Sequence, residues 1–455
     1  MKLNRRHFAG GLTATALAGF AAHGVMASKN RTAMHSGFGP LIEDPDGLID
    51  LPEGFSYRVI SRFRDKMSDG LMVPDRADGM GCFAMPDGRI ALVRNHELKV
   101  SNYDDGPFGN GSAPANGVFD RTKDGKAVVG GTTTLMLNAD TLAVEREHLS
   151  LVGTIRNCAG GTTPWGSWLS CEEDMTRAGK NVGQDHGWVF EVPAAHQGLV
   201  DPVPLKAMGR FNHEAAAVDP HTGIVYQTED RGVSLFYRFI PNVPGKLAEG
   251  GKLQALAFAD PAIGNDSRNW SGKDYRPGSW RFTRWIDMDD VESPKDDLRM
   301  RGAEAGGVLF ARGEGIIYGD GEFYFCCTNG GAEKEGQIMR YRPSRFEGQS
   351  SEQDAPGLLQ LFFESTDRSQ FSYGDNLTVA PNGHLIVCED QYSPVVDNHL
   401  RGVTARGESY DLARIRVQTE PAGACFTPDG QTMFVNLYSP TTTLAISGPW
   451  GRQFS

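Results

Sequence analysis

The segment Gly383-His-Leu-Ile-Val-Cys-Glu389 decides the fold, because the chain repeats its pattern of a glycine turn, a short apolar strand and a polar end. β-Branched and aromatic residues dominate the apolar parts, as they do in strands. Tight glycine turns before such segments indicate hairpins. The same pattern occurs in five further segments: Gly88–Arg94, Gly166–Glu172, Gly223–Glu229, Gly321–Cys327 and Gly430–Asn436.

Three of these turns have the form Pro-Asp-Gly or Pro-Asn-Gly, beginning at Pro86, Pro381 and Pro428, which is a strong hairpin signal. Successive turns are 47 to 98 residues apart, which fits one four-stranded blade per repeat with inserted loops. The chain between them has no sustained helical periodicity. We therefore predict an all-β fold, a six-bladed β-propeller with loop insertions. The spacing also fits up to eight blades, whereas a β-sandwich would not repeat one strand-end pattern six times.

The composition excludes two classes of partner. Lys and Arg total 45, and Asp and Glu total 57, for a net charge of −12. A surface of this sign repels nucleic acid and anionic lipid. An anionic small molecule must instead be bound by a local positive centre, such as a metal ion or an arginine.

Residues 1–27 have the layout of an export signal, with a basic start, an apolar stretch and a small-residue cleavage site. Arg5-Arg6-His7-Phe8 matches a twin-arginine signal, which the twin-arginine export machinery recognises, and an ordinary secretory signal is the alternative. No segment reaches the roughly 20 apolar residues of a membrane span. We predict a periplasmic or secreted monomer without a membrane anchor, in which residues 28–455 form a single β-propeller catalytic domain.

Acidic pairs recur at the ends of three of the repeated strands, at Glu172-Glu173, Glu229-Asp230 and Glu389-Asp390. In a propeller, equivalent strand ends converge on the central axis. Several carboxylates there would repel one another unless cations neutralise them, and oxygen ligands suit Ca²⁺. For each acid taken alone, a solvated strand end is the alternative. Acids in similar contexts are Glu97, Glu214 and Glu314.

The longest distinctive motif is Asn157-Cys-Ala-Gly-Gly-Thr-Thr-Pro-Trp-Gly-Ser-Trp-Leu-Ser-Cys-Glu-Glu173. It resembles the signature of the PhoX-type alkaline phosphatases, a family exported by the twin-arginine route, and the resemblance covers most of the chain. It implies a six-bladed propeller that hydrolyses phosphate monoesters, with Fe(III) and Ca²⁺ clustered on the axis. Shorter matching stretches are Arg94–Glu97, Gly209–Asp219, Tyr226–Asp230, Phe310–Gly315 and Asp375–Pro381.

The resemblance also implies roles for individual residues. Cys158 matches the cysteine that binds iron, and Arg312 matches the arginine that faces the phosphate. Either Glu214 or Glu229 holds iron rather than calcium, and this choice stays open. The glutamates that match family motifs near the metal cluster are Glu97, Glu173, Glu214 and Glu314.

Some metal-ligand candidates rest on weaker arguments. The repeat favours Glu172 where the family motif favours Glu173, so both remain candidates, as does Glu389. Asp375 is a candidate calcium ligand, and a plain Gly-Asp-Asn turn is its alternative. The chain departs from the family in its shorter length and in Gly313, which stands between Arg312 and Glu314 where we expect proline.

The residue types support this chemistry on their own. A Cys158 thiolate is a soft ligand that binds iron well, and clustered cations polarise phosphoryl oxygens. Arg312 can bind phosphate through two hydrogen bonds. We therefore assign Cys158, Arg312 and Glu314 to catalysis. Because strand residues alternate in direction, His96 and His213 are expected to face away from the axis.

Two other functions stay open at this point. One is a calcium-dependent propeller hydrolase of another ester, such as a lactone, which would need neither iron nor the Cys158 thiolate. The other is a non-catalytic propeller in which calcium only links the blades. Serine catalysis is not supported, because the sequence has no Gly-x-Ser-x-Gly motif. The Gly160-Gly161 pair is expected to form a turn.

Overall fold

The structure is a computed structural model that describes residues 37–109, 111, 113–272, 274–391, 393 and 397–452. The predicted export signal, residues 1–27, lies outside the described residues. Within the described part of the chain, no helix is long and apolar enough to cross a membrane. The described helices are α1 (Leu298–Glu304) and 3₁₀ helices at Val100–Asp105, Lys206–Met208, Leu247–Glu249, Pro261–Ile263 and Glu352–Asp354.

Most of the chain forms short strands that follow the glycine turns. Gly88 and Gly383, with φ of 83° and 84°, adopt the left-handed conformation that these turns require. The strands are β1 (Leu41–Ile42), β2 (Ile49–Pro52), β3 (Ser56–Arg62), β4 (Ala77–Ala84), β5 (Arg89–His96), β6 (Gly130–Asn138), β7 (Val144–Thr154), β8 (Asn157–Thr162), β9 (Ser167–Glu172), β10 (Val189–Pro193), β11 (His213–Val218), β12 (Val225–Glu229), β13 (Tyr237–Pro241), β14 (Gly251–Phe258), β15 (Trp280–Asp287), β16 (Gly313–Gly319), β17 (Glu322–Cys327), β18 (Gln337–Arg342), β19 (Leu358–Glu364), β20 (Gly374–Val379), β21 (Leu385–Glu389), β22 (His399–Val403), β23 (Ser409–Ile415), β24 (Pro421–Phe426), β25 (Thr432–Leu437) and β26 (Thr442–Ser447).

The described strands form five antiparallel sheets. Four are separate blades: β4–β7, β8–β10, β20–β23 extended by β2 and β1, and β24–β26 completed by β3. The fifth sheet has nine strands, because β15 pairs with both β14 and β19 and so joins two four-stranded meanders. The predicted all-β, propeller-like arrangement is confirmed. The prediction of six separate blades is corrected to four blades and one large sheet.

The first strand of each meander lies at the centre of the molecule. These inner strands are β4, β8, β11, β16, β20 and β24; each packs against the next, and β24 packs against β4. They therefore surround a central axis, as the propeller prediction requires. Strand β3 pairs with β26, the last described strand, so two segments far apart in the sequence complete one sheet.

Close packing of inner strands corrects the expected turn at Gly160-Gly161. Both glycines lie within β8, beside β11. A Cβ atom on Gly161 would stand 1.8 Å from the carbonyl oxygen of Ala216, so only glycine allows this approach. Farther from the axis, aromatic rings fill the space within and between sheets. Phe236 and Phe325, for example, stack with ring centroids 4.5 Å apart.

Candidate active site

The six inner strands share an irregularity near their starts. In each, the register with the neighbouring strand shifts within the first few residues, as in a β-bulge. Bulges re-aim side chains and are frequent beside active sites. The second residue of five inner strands is an acid or a cysteine: Asp78, Cys158, Glu214, Glu314 and Asp375. The sixth strand, β24, carries Ala422 at this position.

These side chains meet on the axis, and we call them the axial cluster, together with Glu173 after β9. One ligand atom each of Cys158, Glu173 and Glu214 lies within 4.8 Å of the others. The carboxylates of Glu214, Glu314 and Asp375 form a second group within the same distance. Glu214 belongs to both groups, and its Oε2 lies 2.7 Å from the Cys158 sulfur. Five of the predicted ligands are therefore brought together.

Burial and mutual repulsion disfavour negative charge in the axial cluster. The pKa values of Asp78, Glu214 and Glu314 are raised well above their usual range, first by burial and then by the neighbouring carboxylates. The same two causes raise the pKa of Asp375 to about 8. Burial and the Glu214 carboxylate also raise the pKa of the Cys158 thiol. An added positive charge would relieve all of these penalties.

The donor set fits bound cations. Asp78 Oδ1 is buried and has no hydrogen-bond partner, which is costly for a carboxylate unless a cation compensates it. Cys158 with Glu173 and Glu214 combines a soft sulfur with oxygen donors, a set that suits iron. Glu214, Glu314 and Asp375 offer oxygen only, which suits calcium.

Two arginines at the rim, Arg312 and Arg156, contact carboxylates of the axial cluster. Arg312 donates to both carboxylate oxygens of Asp230, at 2.8 and 2.9 Å, and to Glu314 at 2.9 Å. Arg156 donates to Glu97 at 2.7 Å and forms an ion pair with Glu173. The sequence predicted Arg312 but not Arg156. Both arginine side chains keep part of their surface exposed, 23% for Arg312 and 27% for Arg156, so the rim is accessible.

Glu97 lies at this rim rather than within the two close groups. Its carboxylate accepts hydrogen bonds from Arg156 and from the hydroxyl of Tyr438. Asn212 donates to Glu173 at 2.9 Å. These polar contacts form a continuous chain that fixes the orientation of the acids around the axis.

The axis continues beyond the acids as a cavity of about 380 Å³. The inner strands line it with neutral residues that follow the bulges, at 79–80, 159–164, 215–218, 315–318, 376–378 and 423–426. No acid lies among these lining segments. The negative charge is thus confined to the end of the axis where the inner strands begin.

The structure places Glu172, Glu229 and Glu389 outside the axial cluster, which corrects their prediction as metal ligands. Glu172 accepts from His186 at 2.6 Å and from three backbone N–H groups. Glu229 accepts from Tyr237 at 3.1 Å, and Glu389 accepts from Arg401 at 2.7 Å. The reason is strand alternation, since adjacent residues face opposite ways.

Several acids that interact with the cluster were not predicted as ligands: Asp78, Asp230, Asp390 and Glu420. Asp230 and Asp390 are the second members of the acidic pairs at the strand ends, and the prediction chose the first member of each pair, Glu229 and Glu389, as the ligand. Asp78 precedes a glycine, as Glu314 does, and this weak signal could have revealed it. Nothing in the repeated segments indicates Glu420.

His96 and His213, the two histidines considered in the sequence analysis, contact residues outside the axial cluster. His96 is buried and bonds the carbonyl of Asp75 at 3.0 Å and the hydroxyl of Thr133 at 2.9 Å. His213 stacks on Phe211 with ring centroids 3.6 Å apart. Burial lowers the pKa of His213 to about 3, so its ring is neutral and packs as a core side chain.

Comparison with known proteins identifies the family. A family model described as "Alkaline phosphatase PhoX" matches residues 36–441. The chain belongs to this family. The matched segment contains the whole axial cluster and its rim, from Asp78 to Tyr438. The predicted resemblance and the predicted enzyme class of this PhoX family member are therefore confirmed.

Comparison with solved structures supports the fold of this PhoX family member through one match. "Pseudomonas fluorescens PhoX in complex with vanadate, a transition state analogue" is 19% identical, with a TM-score of 0.66 over 90% of this chain and 97% of that chain. A gluconolactonase from Xanthomonas campestris is 11% identical, with a TM-score of only 0.41 over 90% of this chain and 98% of that chain. No curated protein sequence matches this chain significantly.

Proposed function

We propose that this protein hydrolyses phosphate monoesters at the axial cluster, with Fe(III) and Ca²⁺ bound to its thiol and carboxylates. The observation that carries the proposal is the meeting of Cys158, Glu173 and Glu214 within 4.8 Å beneath a rim that holds Arg312. A surplus of buried carboxylates requires cations, and a cationic site flanked by arginine suits a phosphate dianion. The lactone-hydrolysing and non-catalytic alternatives gain no support from a particular contact.

We further propose that the architecture is a six-fold propeller in which the nine-stranded sheet counts as two blades. The six inner strands pack in a closed order and begin with equivalent bulges. We call each inner strand, with the strands that follow it in its meander, a unit. In each unit, the residue after the second strand donates its N–H to the carbonyl oxygen of the residue that precedes the inner strand, as Glu97 does to Arg76 at 2.9 Å. Six copies of one local geometry bring six strand starts to one axis.

The ligands divide into two sets. Cys158, Glu173 and Glu214 would hold iron, whereas Glu314 and Asp375 would hold calcium together with Glu214. When bound, these cations polarise phosphoryl oxygens, stabilise developing negative charge and supply an activated oxygen nucleophile. The packed inner strands hold the ligand side chains in position before substrate arrives, which reduces the reorganisation needed during the reaction.

Arg312 would bind and orient the phosphoryl group. Its guanidinium is planar and can donate two parallel hydrogen bonds to phosphate oxygens. Asp230 and Glu314 hold it at the rim through contacts of 2.8–2.9 Å, so its direction is set in advance. Glu314 thereby links the arginine to the cluster, since its carboxylate also belongs to the oxygen-only group.

The proposal also includes export of the protein. Residues 1–27 would direct the chain to the twin-arginine machinery, and residues 28–455 would act as a periplasmic or secreted monomer. This route carries folded proteins, which would allow the cluster to be filled before export.

The test measures metals and turnover on one sample. Protein produced with its own signal is purified, its iron and calcium are measured, and hydrolysis of p-nitrophenyl phosphate is compared with hydrolysis of a lactone. We expect both metals and phosphate-ester turnover, with loss of turnover after chelation. Calcium alone with lactone turnover, or metal-loaded protein that hydrolyses neither substrate, would refute the proposal.

A further inference from the structure

The residue that precedes each inner strand occupies an equivalent place at the rim. Its carbonyl oxygen accepts an N–H from the residue after the second strand of the same unit, at 2.8–3.2 Å in all six cases. These six residues, which we call the rim positions, are Arg76, Arg156, Asn212, Arg312, Tyr373 and Glu420.

The backbone is strained at several rim positions. Arg156 and Arg312 have φ of 51° and 56°, in the left-handed region that residues other than glycine rarely adopt. Such a conformation costs about 1–3 kcal/mol and tends to persist at functional sites. Here it directs the arginine side chain over the cluster while the carbonyl keeps its hydrogen bond.

Arg156 and Arg312 make matching contacts two units apart around the axis, with the unit of β11 between them. Arg312 binds Asp230, which follows the second strand of the preceding unit, and Glu314 of its own unit. Arg156 binds Glu97, which occupies the same place in its preceding unit, and Glu173 of its own unit. Each arginine thus bridges two units through two carboxylates.

The other rim positions do not reproduce this arrangement. Arg76 donates to the hydroxyl of Tyr438 at 3.5 Å. No described ion pair joins it to a carboxylate of the cluster. Asn212 is neutral and donates to Glu173. Arg76 shares with Arg312 the charge, the left-handed backbone, with φ of 55°, and the partial exposure. Among the rim positions described, only Arg156 also shares the carboxylate pair.

We propose that Arg156 is a second substrate-binding arginine, which together with Arg312 binds the phosphoryl group of a phosphate monoester. The proposal rests on the proposed function. Cations in the cluster would take up the charge of Glu97 and Glu173, which now hold the guanidinium of Arg156. The partly exposed guanidinium of Arg156 can then bind a substrate dianion, as that of Arg312 can. A dianion held from two sides is fixed in orientation as well as position.

The test compares Arg156→Gln, Arg156→Lys and Arg312→Gln in metal-loaded protein. We measure kcat and KM for p-nitrophenyl phosphate, the inhibition constant of inorganic phosphate, and the iron and calcium content. Arg64→Gln is the matched control, because Arg64 also has a left-handed backbone, with φ of 67°, but is exposed and lies before β4.

We expect Arg156→Gln to lower kcat/KM about 10²-fold, as the loss of one charge-stabilising donor does. Inorganic phosphate should inhibit this variant about tenfold more weakly, with unchanged metal content. Arg156→Lys should recover part of the phosphate affinity, because it restores the charge without the planar pair of donors. Arg64→Gln should match the wild type.

Two results would overturn the proposal while leaving the proposed function intact. One is an Arg156→Gln variant whose kcat/KM and whose inhibition by inorganic phosphate equal those of an active wild type. The other is a loss of activity that follows a proportional loss of metal, which would make Arg156 a positioning residue for the ligands. Wild-type protein that neither hydrolyses the ester nor binds phosphate overturns both.

Discussion

Glu172 and Glu173 are consecutive residues, yet they belong to regions with opposite electrostatics. Glu172 is enclosed by donors, because three backbone N–H groups and the imidazole of His186 lie 2.6–3.1 Å from its oxygens. Glu173 faces the axis, where Cys158 and Glu214 stand within 4.8 Å. Both carboxylates are buried, with exposures of 0% and 7%.

The contrast shows that burial alone does not mark a ligand. A buried carboxylate with enough hydrogen-bond donors is satisfied and contributes to stability. A group of buried carboxylates that outnumbers its donors is incomplete without cations. Glu172 and Glu389 therefore belong to the scaffold. So does Glu229, whose Oε1 has no hydrogen-bond partner but lies 3.7 Å from Nη1 of Arg299. The axial cluster belongs to the function. Three changes test this division.

The largest effect is expected from Cys158→Ala in the axial cluster. Loss of the thiolate should remove iron and lower kcat about 10³-fold, equivalent to about 4 kcal/mol of barrier. The fold should survive, because the variant removes a buried thiol with a raised pKa rather than a packed apolar group. Metal analysis, turnover and circular dichroism check this.

Cys171→Ala is the matched control, since Cys171 is buried in the apolar core beside β10. It should keep iron and activity while it lowers stability slightly. Full activity with bound iron in Cys158→Ala would remove the thiol from the site.

A smaller effect, on stability rather than catalysis, is expected from Glu172→Gln. The substitution leaves His186 with Asp120 as its remaining carboxylate partner. It should lower the free energy of unfolding by about 3 kcal/mol, as the breaking of a buried pair does. Urea unfolding measures it. Glu173→Gln is the paired variant, and it should instead reduce metal content. If Glu172→Gln lost metal while keeping its stability, our division of the two regions would be reversed.

The smallest effect is a pH dependence that comes from His186. Burial alone would lower the pKa of its imidazole, but Glu172 and Asp120 raise that pKa to about 10. The unfolded value is near 6.5, so this stabilisation is complete below pH 6.5 and is lost as the pH rises towards 10. We expect a loss of about 2 kcal/mol between pH 7 and 9. Urea unfolding at several pH values, with His186→Gln as the variant that lacks this slope, checks it. An equal slope in both proteins would assign it to other groups.

Much of the fold was predictable because its signals are local. The Pro-Asn-Gly turn before β21 and the apolar run of Leu385–Cys388 specify a hairpin whatever surrounds them. The joining of two meanders by β15 was not predictable, because it depends on which strand edges meet in space. The same holds for Gly160-Gly161, which looks like a turn and forms a strand, since the approach of β11 selects glycine there.

The candidate site was predictable in part. The motif around Cys158 and the acids at Glu214 and Glu314 indicated residues that do meet on the axis. The ligand predictions at Glu229 and Glu389 were wrong by one position, because successive side chains of an extended strand point in opposite directions. Arg156 and Asp78 carried no strong signal, since each gains its meaning only from residues of other strands.

By itself, the sequence determined the short strands, the glycine turns and the acidic, cysteine-containing motifs, because these depend on neighbouring residues and on backbone conformations that few residues adopt. Only the tertiary structure decided which carboxylates share the axis and which are satisfied by donors of the scaffold. The physical reason is that electrostatic repulsion depends on distances across the ring of inner strands, and a bulge or a shift of one residue changes those distances completely.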